Sequence, residues 1–208
     1  MAVELVIFDC DGVLFRSENA NIAFYNEVLR LAGEPPLDFD GEAACHALSS
    51  AQLFEKYYLD RPELLARLRE TAKALDYGPF YGLMEPREQL HETLQRLRRN
   101  YRLAMATNRG QTVRGVLEHF ALTPLFDLAL GVLDVERPKP HPDMLLRCVE
   151  HFAVDPCSAV YVGDQPGDAA SAAAAGIRFV AVGPGVRYAE HRIEGLDELE
   201  PLLAGLDD

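Results

Sequence analysis

Positive charge is scarce in this 208-residue chain, which carries 20 Lys and Arg residues against 33 Asp and Glu. The formal net charge of −13 argues against a nucleic-acid-binding protein, because such proteins neutralise phosphates with Lys and Arg. It argues equally against a partner in an anionic membrane surface. An anionic ligand would therefore need local positive charge, which a lysine, a metal ion or a helix N-terminus can supply.

Long apolar runs and paired cysteines are also missing. No apolar segment approaches the roughly 20 residues of a membrane-spanning helix, and the N-terminal segment lacks the basic residues of a signal peptide. The four cysteines are scattered without a CxxC pair, which favours reduced thiols over a disulfide or zinc framework. We therefore expect a cytoplasmic protein with no membrane partner, and the oligomeric state stays open.

Short apolar runs alternate with helical patterns over most of the chain. Such an alternation predicts βαβ crossovers and a parallel sheet with helices on both faces, an α/β Rossmann-like doubly wound fold. The apolar runs, typical of strands buried on both faces, are 3–9, 101–107, 126–130, 159–163 and 178–182. The helical patterns cover 85–99, 111–120, 142–152 and 167–175.

One long segment, residues 17–77, breaks this alternation because it carries only helical patterns. Ser49 with Gln52, and Asp60 with Glu63, have the spacing of a capping box and predict two helix starts. We read this segment as an α-helical cap inserted after the first strand. The expected division is a discontinuous α/β catalytic core of residues 1–15 and 85–208, with a helical cap of residues 16–84.

Polar residues stand where three of the predicted strands end. Asp9 ends the first strand, Thr107 the second and Asp164 the fourth. Ligands of open α/β sheets bind at the carboxyl ends of the strands, so we expect these side chains to converge on one crevice. Aspartates so placed suit magnesium, and a carboxylate can also attack phosphorus as a nucleophile. A second acid at Asp11 can transfer protons to and from the reacting oxygens. Lys139, held between two prolines, can neutralise a phosphate.

Four motifs together carry a family resemblance. They are the DxDGVL segment at 9–14, Thr107-Asn108, Lys139-Pro140, and the GDQPGD segment at 163–168. In order and spacing they resemble the haloacid dehalogenase-like (HAD) hydrolases over the whole chain. The resemblance is to the branch with a helical cap after the first motif, such as phosphoglycolate phosphatase and β-phosphoglucomutase.

The resemblance implies a role for each motif residue. Asp9 would be the nucleophile and a magnesium ligand, and Asp11 the general acid and base, with its backbone carbonyl as a second ligand. Thr107 and Asn108 would hold the phosphate, and Lys139 would balance its charge. Asp164 would complete the metal site. The remaining assignments carry alternatives. Asp168 could be a metal ligand or an N-terminal charge on its helix, Arg16 a substrate contact or a solvated side chain, and Arg109 a substrate contact or an exposed side chain. Apart from the resemblance, the Cys10 side chain should point to the opposite face of the strand from its neighbours, so we expect a buried packing thiol rather than a redox-sensitive one.

The function expected from these residues is a Mg²⁺-dependent phosphatase that hydrolyses a small phosphorylated metabolite through an aspartyl-phosphate. The aspartate at position 11 disfavours dehalogenation, which needs neither such an acid nor a metal in this family. Two alternatives stay open: a phosphomutase of the β-phosphoglucomutase type, and a non-catalytic phosphoacceptor or phospho-ligand-binding protein.

Overall fold

The computed structural model describes residues 2–206 and places a parallel sheet at the centre of the chain. The strands of the sheet are β1 (Leu5–Phe8), β4 (Arg102–Ala106), β5 (Leu128–Leu130), β6 (Ala159–Gly163), β7 (Arg178–Val182) and β8 (His191–Ile193). They lie in the order β5-β4-β1-β6-β7-β8, and each adjacent pair is parallel. This arrangement confirms the predicted doubly wound class.

Alternate residues of the central strand β1 enter different hydrophobic clusters. Leu5 and Ile7 pack with α7 (Asp143–Phe152) and α8 (Pro166–Ala175) on one face of the sheet. Val6 and Phe8 enter the other cluster, together with side chains of α5 (Leu90–Leu97), α6 (Val113–His119) and α9 (Leu199–Leu206). The strand is fully buried because both faces are covered, which explains its uninterrupted apolar sequence.

The inserted segment is helical and leaves the core through a short antiparallel ribbon. Its strands are β2 (Phe15–Arg16) and β3 (Glu85–Pro86), with Phe15 opposite Pro86 and Arg16 opposite Glu85. Between them lie α1 (Glu18–Leu31), α2 (Phe39–Ala44), α3 (Ser50–Tyr58), α4 (Pro62–Ala74) and a 3₁₀ segment, Gly78–Leu83. The placement is consistent with a cap, and the stated boundaries at 16 and 84 stay a prediction.

One of the two predicted helix starts is confirmed. The backbone amide of Ser49 donates to Gln52 Oε1 at 2.9 Å, and the amide of Gln52 donates back to Ser49 Oγ at 3.4 Å. The other prediction was wrong, because α4 begins at Pro62 and its N-cap is Arg61, whose side chain makes no capping bond. Proline suits the first helical position, since its fixed φ fits and its missing N–H needs no partner there.

Other segment boundaries differ from the sequence patterns. The helix predicted for 85–99 is shorter, because residues 85 and 86 pair with the first strand of the ribbon and α5 begins only at Leu90. The edge strand β8 was not predicted. Gly176 adopts φ 69° and ends α8, as the sequence indicated. No helix within residues 2–206 is both long and apolar enough to cross a membrane.

Candidate active site

The sheet register brings the strand-end residues to one edge. Phe8 of β1 lies opposite Met105 of β4 and opposite Val162 of β6. The chain positions that follow these partners therefore emerge side by side at the carboxyl ends of three neighbouring strands. Asp9, Thr107 and Asp164, which sequence reasoning selected, occupy those positions.

A tight turn follows β1 and fixes the direction of Asp11. Gly12 has φ +77°, a left-handed conformation that favours glycine, and its amide donates to the carbonyl of Phe15 at 2.8 Å. Arg87 Nη2 donates to the Gly12 carbonyl at 2.5 Å. A Cβ atom at Gly12 would lie 2.2 Å from Asp164 Oδ2, so the glycine is also required by the close approach of that carboxylate.

Lys139 joins two buried carboxylates to a buried phenol. Its Nζ lies 2.9 Å from Asp9 Oδ1 and 2.7 Å from Asp168 Oδ1, and it donates to Tyr161 Oη at 2.8 Å. The phenol lies 3.0 Å from Asp168 Oδ1. The three donors of the ammonium thus have protein partners, and Asp9 Oδ1 also accepts from the Cys10 amide at 2.7 Å.

The buried charges shift one another's pKa values. Burial raises the pKa of Asp9 to about 8, although the positive charge of Lys139 opposes this. Burial alone would lower the pKa of Lys139, but the carboxylates of Asp168 and Asp9 outweigh it and hold the pKa above its ordinary value. The cluster is therefore short of positive charge, as expected of a site that receives a cation.

Asp164 is the clearest candidate for a metal ligand. Its Oδ1 is buried without a hydrogen-bond partner, and Oδ2 accepts from Gln165 Nε2 at 2.6 Å. Burial and the nearby Asp168 raise the pKa of Asp164 to about 7. Ligand atoms of Asp9, Asp164 and Asp168 lie within 4.8 Å of one another. An orphaned carboxylate oxygen in an all-oxygen donor set fits a hard divalent cation such as Mg²⁺.

Asp168 differs from the other two aspartates because both of its oxygens have partners. Oδ1 faces Lys139 and Tyr161, while Oδ2 accepts from the amides of Asp164 and Gln165 at 3.2 and 3.0 Å. These bonds orient the loop that carries Asp164. Direct ligation by Asp168 stays a prediction, and its hydrogen bonds favour a positioning role.

Asp11 is paired with Arg109, for which the sequence left two alternatives open. Arg109 Nε lies 2.8 Å from Asp11 Oδ2 and Nη2 lies 2.6 Å from Oδ1, a bidentate ion pair. Ser17 and Asn21 also donate to Asp11 Oδ1. Burial would raise the pKa of Asp11, but Arg109 and these hydrogen bonds outweigh it, and the pKa lies below its ordinary value.

A cavity of about 530 Å³ lies between the sheet edge and the inserted helices, and most of these groups, though not Asp164, line it. Its lining includes the predicted residues Asp9, Asp11, Thr107, Asn108, Lys139 and Asp168. The Asn108 side chain accepts from the Lys139 amide at 3.1 Å and donates to its carbonyl at 3.3 Å, so it holds the lysine backbone. Arg16 is exposed in β2 and is not part of the lining, so the structure does not bring this predicted contact to the site.

Sequence reasoning did not identify Tyr161 as part of the site and left Arg109 with two alternatives. Tyr161 looked like a core residue because it lies inside an apolar strand, and Arg109 was weighed equally as an exposed side chain. Arg109 is only 8% exposed, so the solvated interpretation was wrong. Its position next to Thr107-Asn108 was the available signal. Cys10 is fully buried in the core, as predicted.

A comparison with known proteins decides the family. Residues 6–182 match the family described as haloacid dehalogenase-like hydrolase. The chain belongs to this family. A solved HAD-superfamily hydrolase of subfamily IA, variant 1, from Geobacter sulfurreducens is 34% identical, with coverage of 97% of this chain and 96% of that one and a TM-score of 0.77.

Other HAD relatives carry more specific names. A pyrophosphatase PpaX of Bacillus cereus is 26% identical over 223 residues, covering 100% of this chain and 99% of the relative. The crystal structure of a putative phosphoglycolate phosphatase from Lactobacillus plantarum is 20% identical, covers 97% of this chain and 100% of that chain, and has a TM-score of 0.85. At that identity the likeness shows the fold alone. The family match and the PpaX relative support the phosphatase class predicted from the motifs.

Proposed function

We propose that this HAD hydrolase is a Mg²⁺-dependent phosphatase that hydrolyses a small phosphorylated metabolite through an aspartyl-phosphate on Asp9. The observation that carries the proposal is the cluster at the sheet edge: Lys139 contacts Asp9, carboxylate oxygens of Asp9 and Asp164 lie within 4.8 Å of each other, and Asp164 Oδ1 is orphaned. The name of the pyrophosphatase PpaX relative supports the same chemical class.

The nucleophile is positioned through one of its oxygens. Asp9 Oδ1 is fixed by Lys139 and by the Cys10 amide, so we expect Oδ2 to attack phosphorus. The new Oδ2–P bond forms as the bond from phosphorus to the leaving oxygen breaks. Asp11, which is ionised in its ion pair with Arg109, first takes up a proton from solvent as it turns away from Arg109, and then passes this proton to the leaving oxygen. Water then attacks phosphorus as the Oδ2–P bond breaks and gives a proton to Asp11, which releases inorganic phosphate and restores the Asp9 carboxylate.

The other residues bind the phosphoryl group and orient the reacting ones. The Thr107 hydroxyl accepts from the Arg109 amide at 3.3 Å, which leaves its proton for a phosphoryl oxygen. Asp9, Asp164 and the Asp11 carbonyl would hold the magnesium ion, with Asp168 keeping Asp164 in place. When bound, the ion supplies positive charge that balances the acidic cluster and the phosphate. Side chains of the inserted helices, such as Phe24 and Tyr25, line the cavity, and we expect them to limit its access to bulk water.

Phosphate release from a panel of phosphomonoesters, with and without Mg²⁺, tests the proposal. We expect Asp9→Asn to remove nearly all turnover and Asp11→Asn to reduce it by about 10²–10⁴-fold. Unchanged turnover in Asp9→Asn contradicts the mechanism. Conversion of a sugar phosphate into an isomer, without free phosphate, would favour the phosphomutase instead.

A further inference from the structure

Two cationic side chains line the cavity, and each contacts different acidic residues. Within the described part of the chain, the Lys and Arg residues that line it are Lys139 and Arg109. Lys139 contacts Asp9 and Asp168, so it belongs to the end where the transferred phosphoryl group binds. Arg109 contacts Asp11, so it belongs to the end where the leaving group departs.

The Arg109 guanidinium binds the carboxylate of Asp11 through two parallel hydrogen bonds. Its Nε and Nη2 donate to the two oxygens of Asp11 at 2.8 and 2.6 Å. A planar guanidinium recognises carboxylates and phosphates through the same parallel pair of bonds. The Asp11 carboxylate thus occupies a position that suits an anionic group of a substrate.

The remaining partners of Arg109 are neutral. Nη2 lies 3.3 Å from Asn21 Oδ1 and 3.3 Å from Tyr77 Oη, and the guanidinium carbon lies 5.0 Å from the centre of the Tyr77 ring. A guanidinium that is only 8% exposed is costly to leave without an anion. Movement of Asp11 from Arg109 toward a leaving oxygen therefore requires a replacement anion, while Ser17 and Asn21 remain to hold Asp11.

We propose that Arg109 is a specificity-determining residue that binds a second anionic group, a carboxylate or a phosphate, on the leaving part of the substrate. Binding of this group releases Asp11 from the ion pair and lets it face the leaving oxygen. Because Arg109 and Asp11 are in contact, the second anion lies within a few bonds of the ester oxygen. The proposal rests on the proposed phosphatase function and adds its substrate class.

A matched pair of esters tests the preference. 2-Phosphoglycolate carries a carboxylate on the leaving part, and 2-phosphoglycolamide replaces it with a neutral amide of similar size. We expect the wild type to favour the carboxylate in kcat/KM by roughly tenfold or more, since the amide leaves the arginine paired with Asp11. A parallel arm with pyrophosphate shows whether a phosphate serves as the second anion in place of the carboxylate.

Variants of one residue locate the origin of the preference. In Arg109→Gln the ratio of the two kcat/KM values should fall to about one. Arg109→Lys keeps the positive charge but cannot form the two parallel hydrogen bonds, so it should give an intermediate ratio. The matched control is Arg114→Gln on α6, where an exposed arginine pairs with Glu118, and this variant should keep the wild-type ratio. A wild-type ratio near one, or a wild-type ratio retained in Arg109→Gln, overturns the proposal.

Binding to an inactive enzyme separates this proposal from the proposed function. Titration calorimetry with Asp9→Asn and Mg²⁺ should show tighter binding of 2-phosphoglycolate than of the amide by about tenfold, and the difference should vanish in Asp9→Asn/Arg109→Gln. Equal binding of the two esters refutes the role of Arg109 even if the wild type is an active phosphatase. Selective binding without wild-type turnover supports the role and refutes the phosphatase.

Discussion

Replacement of Gly12 by alanine should disable the site through a contact that the structure defines. The added Cβ would lie 2.2 Å from Asp164 Oδ2 and 2.3 Å from its carboxyl carbon, where ordinary contacts begin at 3.4 Å. Either the carboxylate or the turn that carries Asp11 must move by about 1 Å. A displacement of this size among reacting groups costs roughly 10² in rate, so we expect at least that loss in kcat/KM.

Gly33→Ala is the matched control for backbone strain. Gly33 has φ +76°, almost the same conformation as Gly12, but a Cβ there meets no atom within 4 Å. A left-handed alanine costs about 1–2 kcal/mol in either place, which should lower Tm by roughly 2–8 °C in both variants. Only Gly12→Ala should also lose activity.

The assay is phosphate release as a function of Mg²⁺ concentration, with a thermal melt of each variant. We expect Gly12→Ala to need far more Mg²⁺ than the wild type for half-maximal activity, because Asp164 is displaced. Gly33→Ala should keep the wild-type magnesium dependence. Wild-type turnover and magnesium dependence in Gly12→Ala would refute the close packing of Asp164 against the turn.

Two further predictions concern the charge cluster. Tyr161→Phe removes a partner of both Lys139 and Asp168, so kcat should fall by about tenfold. The control Tyr188→Phe alters a side chain that is 98% exposed and should keep the wild-type kcat. Steady-state kinetics measure both values, and a wild-type kcat in Tyr161→Phe contradicts the prediction. In the metal-free protein the pKa of Asp9 rises from 3.8 to about 8 on folding. The folded state therefore binds the Asp9 proton more tightly than the unfolded state does. The stabilisation is complete below about pH 4 and is lost as the pH rises toward 8. Thermal melts without metal should therefore show a wild-type Tm that falls more steeply than that of Asp9→Asn between pH 5 and pH 8, and parallel curves for the two proteins would contradict the raised pKa.

The sequence predicted the buried strands well because their apolar runs leave few alternatives. The run at 159–163 coincides with β6, in which every residue is buried. The edge strand His191–Ile193 was not found because it has three residues and two of them are polar. Asp60 and Glu63 do have the spacing of a capping box, but Pro62 takes the first helical position, so the N-cap is Arg61, one residue after Asp60.

The motif residues were predictable because strand ends of a parallel sheet must meet, whereas their partners depend on tertiary packing. Arg109 and Asp11 lie 98 positions apart in the chain, and no local pattern indicates that they pair. The Tyr161 phenol lies inside an apolar strand, and only the approach of Lys139 shows that it has a polar role. Arg16 was placed by its charge and its nearness to the first motif, but the ribbon directs it to solvent.

The most direct test of the account is whether phosphate passes through Asp9. Wild-type enzyme is mixed with 2-phosphoglycolate and Mg²⁺, quenched with acid during turnover, and its peptides are analysed by mass spectrometry. The account predicts one phosphoryl group on the peptide that contains Asp9, and none in Asp9→Asn. Rapid wild-type turnover with no phosphoryl group on that peptide, together with turnover retained in Asp9→Asn, would contradict it.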